Sequence, residues 1–84
     1  MQILIENTKR TFKKVFTIEP HDNNVKDLKM KIENYINKYD EEFLKLNNYS
    51  LIYLGFPLED SLDINYLKWL CQNYPVIFIV FKNK

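Results

Sequence analysis

The most informative part of this chain of 84 residues is the stretch from 51 to 60, Leu51-Ile52-Tyr53-Leu54-Gly55-Phe56-Pro57-Leu58-Glu59-Asp60. Residues 49–54 are mainly aromatic and aliphatic, which predicts a β-strand. Gly55 is the only glycine of the chain, so we expect a backbone position with positive φ there. Residues 56–58 predict a short extended piece, and the polar residues 59–61 predict a turn.

Upstream of this stretch the sequence predicts a hairpin followed by a helix. Residues 1–6 and 12–18 are short runs with alternating apolar side chains, close enough to pair as antiparallel strands. Glu19-Pro20 ends the second strand, because proline has no amide hydrogen for the ladder. Further along, apolar residues recur at helical spacing and form one stripe: Val25, Leu28, Ile32, Tyr35, Ile36 and Tyr39. An amphipathic helix of this kind needs an apolar sheet face to cover.

Downstream, three segments complete the prediction. Residues 43–46 indicate a helical extension or a packed turn, and residues 62–70 indicate a short helix or 3₁₀ segment. Residues 76–81 are an unbroken apolar run, which is typical of a strand covered on both faces or of one with an apolar outer patch. The predicted class is therefore α+β, with one main helix across a mixed sheet of four or five strands.

Composition excludes several classes of protein. A chain of 84 residues can bury one core, and no apolar run approaches the roughly 20 residues of a membrane-spanning helix. Cys71 and His21 are single residues of their kind, too few for an internal disulfide or for a structural zinc site with about four ligands. A single glycine also excludes the known phosphate-binding loops. We therefore expect no enzyme, no metal and no cofactor, and a location in the cytoplasm, the nucleus or both.

Several blocks of residues resemble ubiquitin. The chain opens with Met1-Gln2-Ile3, has Glu19-Pro20 after its second strand, and places Lys29 inside the helical stripe, as ubiquitin does. Residues 51–62 are similar to the Leu-Ile-aromatic-small-Gly and Leu-Glu-Asp signature of the family. The resemblance spans the chain to about residue 82. It implies a β-grasp fold and a single domain over residues 1–84, either free-standing or the N-terminal domain of a longer protein.

Two departures from ubiquitin bear on function. The segment between residues 39 and 49 is longer than its counterpart, and the chain ends in Lys82-Asn83-Lys84 without a diglycine. By resemblance this implies a non-conjugated type, a protein-interaction module of the ubiquitin–proteasome system. Such a module is bound non-covalently by a ubiquitin receptor, a proteasome subunit, a chaperone or a ligase.

The resemblance also implies a partner-binding patch on the open face of the sheet. Its residues would be Ile52, Phe56, Phe78 and Val80. A slip of one residue in the last strand would exchange its two faces, but either set is apolar. We expect a monomer; the alternative is a structural domain that self-associates or belongs to a permanent complex.

A second candidate site is basic. Lys9, Arg10, Lys13 and Lys14 lie on the first hairpin and could contact phosphates. The alternative is a solvated hairpin in a lysine-rich sequence, which the net charge of +1 and the missing aromatic platform favour over nucleic-acid binding. Lys29 is assigned by resemblance to a structural role, paired with Asp60.

Overall fold

A computed structural model describes residues 1–7, 12–39 and 49–81, without the side chains of residues 37, 39 and 81. The elements, in chain order, are β1 (Gln2–Asn7), β2 (Lys13–Thr17), α1 (Val25–Tyr39), β3 (Tyr49–Tyr53), β4 (Phe56–Pro57), α2 (Ile64–Cys71) and β5 (Val76–Phe81). No helix in these ranges is long and apolar enough to cross a bilayer. The predicted helical extension at 43–46 lies outside the described residues.

The strands form one mixed sheet in the order β2-β1-β5-β3-β4. β1 and β5 are parallel, with Ile5 opposite Ile77, and every other pair is antiparallel. The last strand of the chain therefore lies at the centre of the sheet. This order, with one long helix on one face, is a β-grasp arrangement and confirms the predicted α+β class.

The core lies between α1 and one face of the sheet. Ile3, Ile5, Leu51, Ile77 and Ile79 are fully buried on the three central strands. The helix contributes Val25, Leu28, Ile32 and Ile36 from the predicted stripe, all at most 2% exposed. The partly buried ring of Tyr35 packs edge-on against Phe12 and Phe16 beside this core.

The start of α1 is fixed by reciprocal hydrogen bonds. The Asp27 amide donates to Asn24 Oδ1 at 3.2 Å, and Asp27 Oδ2 accepts from the Asn23 amide at 2.6 Å. This resembles a capping box, with an acidic residue in the first turn that also suits the positive end of the helix dipole. The Ile64 amide donates to Asn23 O at 2.9 Å, so the starts of the two helices are held together.

Candidate functional site

The open face of the sheet is set by the alternation along β5. Ile77 and Ile79 are fully buried beneath α1, so Phe78 and Val80 point the other way and are only partly buried. Ile52 on β3 lies opposite Phe78, and Ser50 lies opposite Val80. The structure thus brings together three of the four residues predicted for the patch, Ile52, Phe78 and Val80.

Two further apolar residues extend this surface. Val76 lies on the same face of β5, with Leu4 of β1 as its register partner, and both are partly buried. We call Leu4, Ile52, Val76, Phe78 and Val80 the sheet-face patch. Its edge on β2 is apolar at Val15, which lies opposite Leu4 and is 48% exposed, and polar at Lys13, which lies opposite Glu6. Polar residues at the rim of an apolar centre are usual in protein-binding surfaces.

Phe56 lies elsewhere. Its register partner is Tyr53, whose side chain is buried on the covered side of the sheet, whereas Pro57 is the residue opposite Ile52. Cross-strand partners share a face, so Phe56 is not a member of the sheet-face patch. It is 73% exposed and lines a groove beside α2.

The turn between β3 and β4 has two residues with positive φ, 48° at Leu54 and 87° at Gly55. Two such residues in a two-residue hairpin loop are typical of a type I′ turn, whose twist matches that of the strands. The expected positive φ at Gly55 is confirmed. Leu54 is less suited to its position, because a branched side chain in the left-handed region is strained.

The basic cluster is not a single surface in the described part of the chain. Lys13 lies opposite Glu6 on the open face, whereas Lys14 lies opposite Ile5 on the covered side. The Lys14 ammonium lies 5.1 Å from the centre of the Tyr35 ring. This is a cation–π geometry, so Lys14 interacts with the aromatic ring. Lys9 and Arg10 lie outside the described residues.

Two ion pairs attach α1 to its surroundings. Lys29 Nζ lies 2.5 Å from Asp60 Oδ1, which confirms the pair expected from the resemblance. Lys31 Nζ donates to the Thr17 carbonyl at 2.8 Å and to Asp22 Oδ2 at 2.5 Å. Burial alone would raise the pKa of Asp22, but hydrogen bonds from Lys31 and from the Glu19 amide outweigh it and hold the pKa below its usual value.

Cys71 and His21 lie in different surroundings, one in the core and the other at the surface. Cys71 is fully buried in the core, and burial raises the pKa of its thiol to about 11. The thiol is therefore protonated at neutral pH and a poor nucleophile. His21 lies on an exposed turn, where Nε2 is 3.3 Å from Glu19 Oε1.

A feature that the sequence analysis missed is a groove of about 740 Å³ between the β3–β4 turn and α2. We call it the α2 groove. Tyr66 and Leu70 of α2 form one wall, and Leu54 and Phe56 form the other. The remaining lining residues are Tyr53, Pro57, Leu58, Glu59, Ser61, Leu62 and Asp63. The spacing of Tyr66 and Leu70, one helical turn apart, was the available signal for a second apolar stripe on α2.

The described residues thus form a β-grasp-like sheet and helix, with an apolar sheet face that no described helix covers. In the described part of the chain, no three His, Cys, Asp or Glu side chains are grouped closely enough to hold a metal ion. Comparison with known protein families and with curated proteins finds no match to this chain.

Proposed function

We propose that this chain is a non-enzymatic, ubiquitin-like interaction module that binds partner proteins non-covalently through the sheet-face patch. The observation that carries the proposal is the apolar row Val76, Phe78 and Val80 on β5, with Leu4 of β1 and Ile52 of β3 beside it, on the face that α1 leaves uncovered. The resemblance of residues 51–62 to the ubiquitin signature supports the same surface.

The shape of the patch suggests the element that covers it. Three neighbouring strands about 4.8 Å apart present an apolar strip roughly 10 Å wide, which matches the diameter of one α-helix. Val15 continues the strip onto β2 beside Leu4, whereas Glu6, Lys13 and Ser50 flank it with polar side chains. We propose an amphipathic helix of a ubiquitin receptor, a proteasome subunit, a chaperone or a ligase, with its apolar stripe on Phe78.

Affinity capture tests this proposal. Wild type, the Ile52→Ala/Phe78→Asp double variant and a Met30→Asp control are used to capture proteins from an extract of the source cells, and mass spectrometry compares them. Met30 is 51% exposed on α1, away from the patch. The Met30→Asp control therefore adds the same charge as Phe78→Asp without changing the patch. We expect partners shared by wild type and control to be lost from the double variant, because a hot-spot residue contributes about 2 kcal/mol or more.

Folding and self-association are checked in parallel. Circular dichroism of the double variant must match wild type before the capture is interpreted. Retention of the same partners by the folded double variant would contradict the patch. A mass in light scattering that rises with concentration, and falls in the double variant, would instead favour the assembly role.

A further inference from the structure

The α2 groove contains no residue of the sheet-face patch, although Pro57 in its lining lies opposite Ile52, and its base is buried. Leu58 and Tyr53 line it with at most 9% of their surface exposed. The Tyr53 hydroxyl donates to the Leu70 carbonyl at 2.8 Å, which ties β3 to the last turn of α2 and fixes the separation of the two walls. A cavity of about 740 Å³ lies within the size range of ligand-binding pockets.

The sides of the groove expose large apolar side chains that the core does not use. Phe56 is 73% exposed, Leu54 59% and Tyr66 51%, and all three line the groove. The Tyr66 ring stacks on the Trp69 ring with centroids 5.8 Å apart, which holds the exposed tyrosine in place. A contiguous exposed apolar surface of this kind marks binding sites more often than chance exposure does.

Leu54 adds a second observation at the same place. Its φ of 48° is strained for a leucine, and its side chain is largely in solvent. Asparagine or glycine would suit this turn better, both in backbone conformation and in solvation. Folding therefore does not explain a leucine here, whereas contact with a bound molecule would.

Charge indicates what the groove would accept. Among the described residues that line it, Glu59 and Asp63 are the charged ones, and both are carboxylates. Asp63 Oδ1 accepts a hydrogen bond from the Asn65 amide at the start of α2. Among the described residues, no lysine or arginine lies within ion-pair distance of either carboxylate, whereas the neighbouring Asp60 is neutralised by Lys29. The groove is thus apolar inside and acidic at its rim.

We infer that the α2 groove binds a peptide segment of a partner protein, in which a large apolar or aromatic side chain is flanked by lysine or arginine. The anchor would insert between Tyr66 and Phe56. The flanking cations would face Glu59 and Asp63, where the complementary charge selects the register and speeds association.

Peptide selection provides the test. The full 84-residue chain is used as bait for a phage library of random dodecapeptides at low salt, with a bait-free control. The most enriched peptides are synthesised and titrated by calorimetry and by fluorescence of Trp69, the only tryptophan of the chain and a direct neighbour of the groove. We expect a bulky apolar residue next to one or more basic residues.

Matched variants locate the binding site. Tyr66→Ala should weaken the selected peptides about tenfold or more, because it removes an aromatic wall. Glu59→Gln/Asp63→Asn should weaken them about three- to tenfold and flatten their salt dependence, since asparagine still caps the helix. Phe78→Asp, on the other side of the sheet, should leave their affinity unchanged. Leu54→Asn replaces Tyr66→Ala if the latter does not fold.

Several results would overturn the inference. The first is that no peptide is enriched over the bait-free control, and the second is that the enriched peptides lack basic residues. The third is that the peptides bind Tyr66→Ala and Glu59→Gln/Asp63→Asn as tightly as they bind wild type. A dimer in sedimentation that Tyr66→Ala dissociates would also overturn it, because a second copy of the chain would then occupy the groove. Since Phe78→Asp separates the two surfaces, failure here leaves the proposed function of the sheet-face patch intact.

Discussion

The two faces of β5 are made from the same kind of residue but differ in what covers them. Ile77 and Ile79 are fully buried beneath α1, whereas Phe78 and Val80 lie on the open side and are only partly buried. α1 packs on the face that bears Ile77 and Ile79, and in the described part of the chain Phe78 and Val80 remain partly exposed on the other face. Apolar character on the open face therefore exceeds what folding requires, which is why we assign it to binding.

The largest expected effect is a loss of stability on the covered face of β5. It tests whether the side chains of that face, and not those of the open face, form the core. Ile77→Ala should lower the free energy of unfolding by about 3 kcal/mol, because it leaves a cavity between sheet and helix. Phe78→Ala removes more atoms but should cost only about 1 kcal/mol, because the space it leaves is open to solvent. Urea denaturation of both variants measures the difference.

The m-value serves as the control for this pair. It should equal that of wild type in both variants, so that a shift in midpoint reports stability alone. Equal losses for Ile77→Ala and Phe78→Ala would mean that the open face is packed in solution, either by another copy or by part of this chain.

A smaller effect is expected where α1 is attached over the covered face. Asp22→Asn should lower stability by about 1 to 3 kcal/mol at neutral pH, because it removes the charge that holds Lys31. The pKa of Asp22 is lowered by folding, so its contribution is present above the unfolded pKa of about 4 and is lost as pH falls through the folded value.

The pH dependence distinguishes this cause from a packing defect. Urea midpoints measured from neutral pH down into the acid range should fall less steeply for Asp22→Asn than for wild type. Parallel curves would show that another carboxylate dominates acid unfolding. Phe78→Ala, whose residue does not titrate, supplies the matched control on the open face.

The smallest effect is expected at the turn that joins β3 to β4. Leu54→Asn should raise stability by about 0.5 to 1 kcal/mol, because asparagine tolerates the positive φ and an exposed site. Gly55→Ala should lower stability by about 1 kcal/mol, since alanine is strained at a φ of 87°. Thermal denaturation resolves both signs, and a destabilised Leu54→Asn would show that Leu54 packs in the free protein.

The sequence was sufficient for the elements whose patterns are unambiguous. The stripe from Val25 predicted α1 over its observed bounds, and the alternation in residues 1–6 and 12–18 predicted the first hairpin to within a residue or so. Gly55 predicted its own backbone conformation. The helix and the hairpin depend on local periodicity, and the turn depends on the tolerance of glycine for positive φ. Both can be recognised in the sequence without knowledge of the fold.

The sequence was insufficient where faces had to be chosen in three dimensions. Residues 76–81 are apolar at every position, so periodicity could not show which side chains of β5 face the helix. The pairing of β5 with the buried residues Ile5 and Leu51 determines this. The resemblance placed Phe56 in the patch beside Ile52, but a two-residue turn pairs it with Tyr53 instead. The α2 groove requires a turn and a helix that only the folded chain brings together.

The order in which the strands are synthesised differs from their order in the sheet. β5 is the last strand along the chain, and it alone joins the β2–β1 hairpin to the β3–β4 hairpin. Until residues 76–81 leave the ribosome, each hairpin is an isolated pair and Ile3, Ile5 and Leu51 lack their neighbour. Folding of this domain therefore depends on contacts between distant parts of the chain. Before β5 pairs with its neighbours, the aliphatic residues that later form the core stay exposed, and exposed apolar surface of this kind favours aggregation.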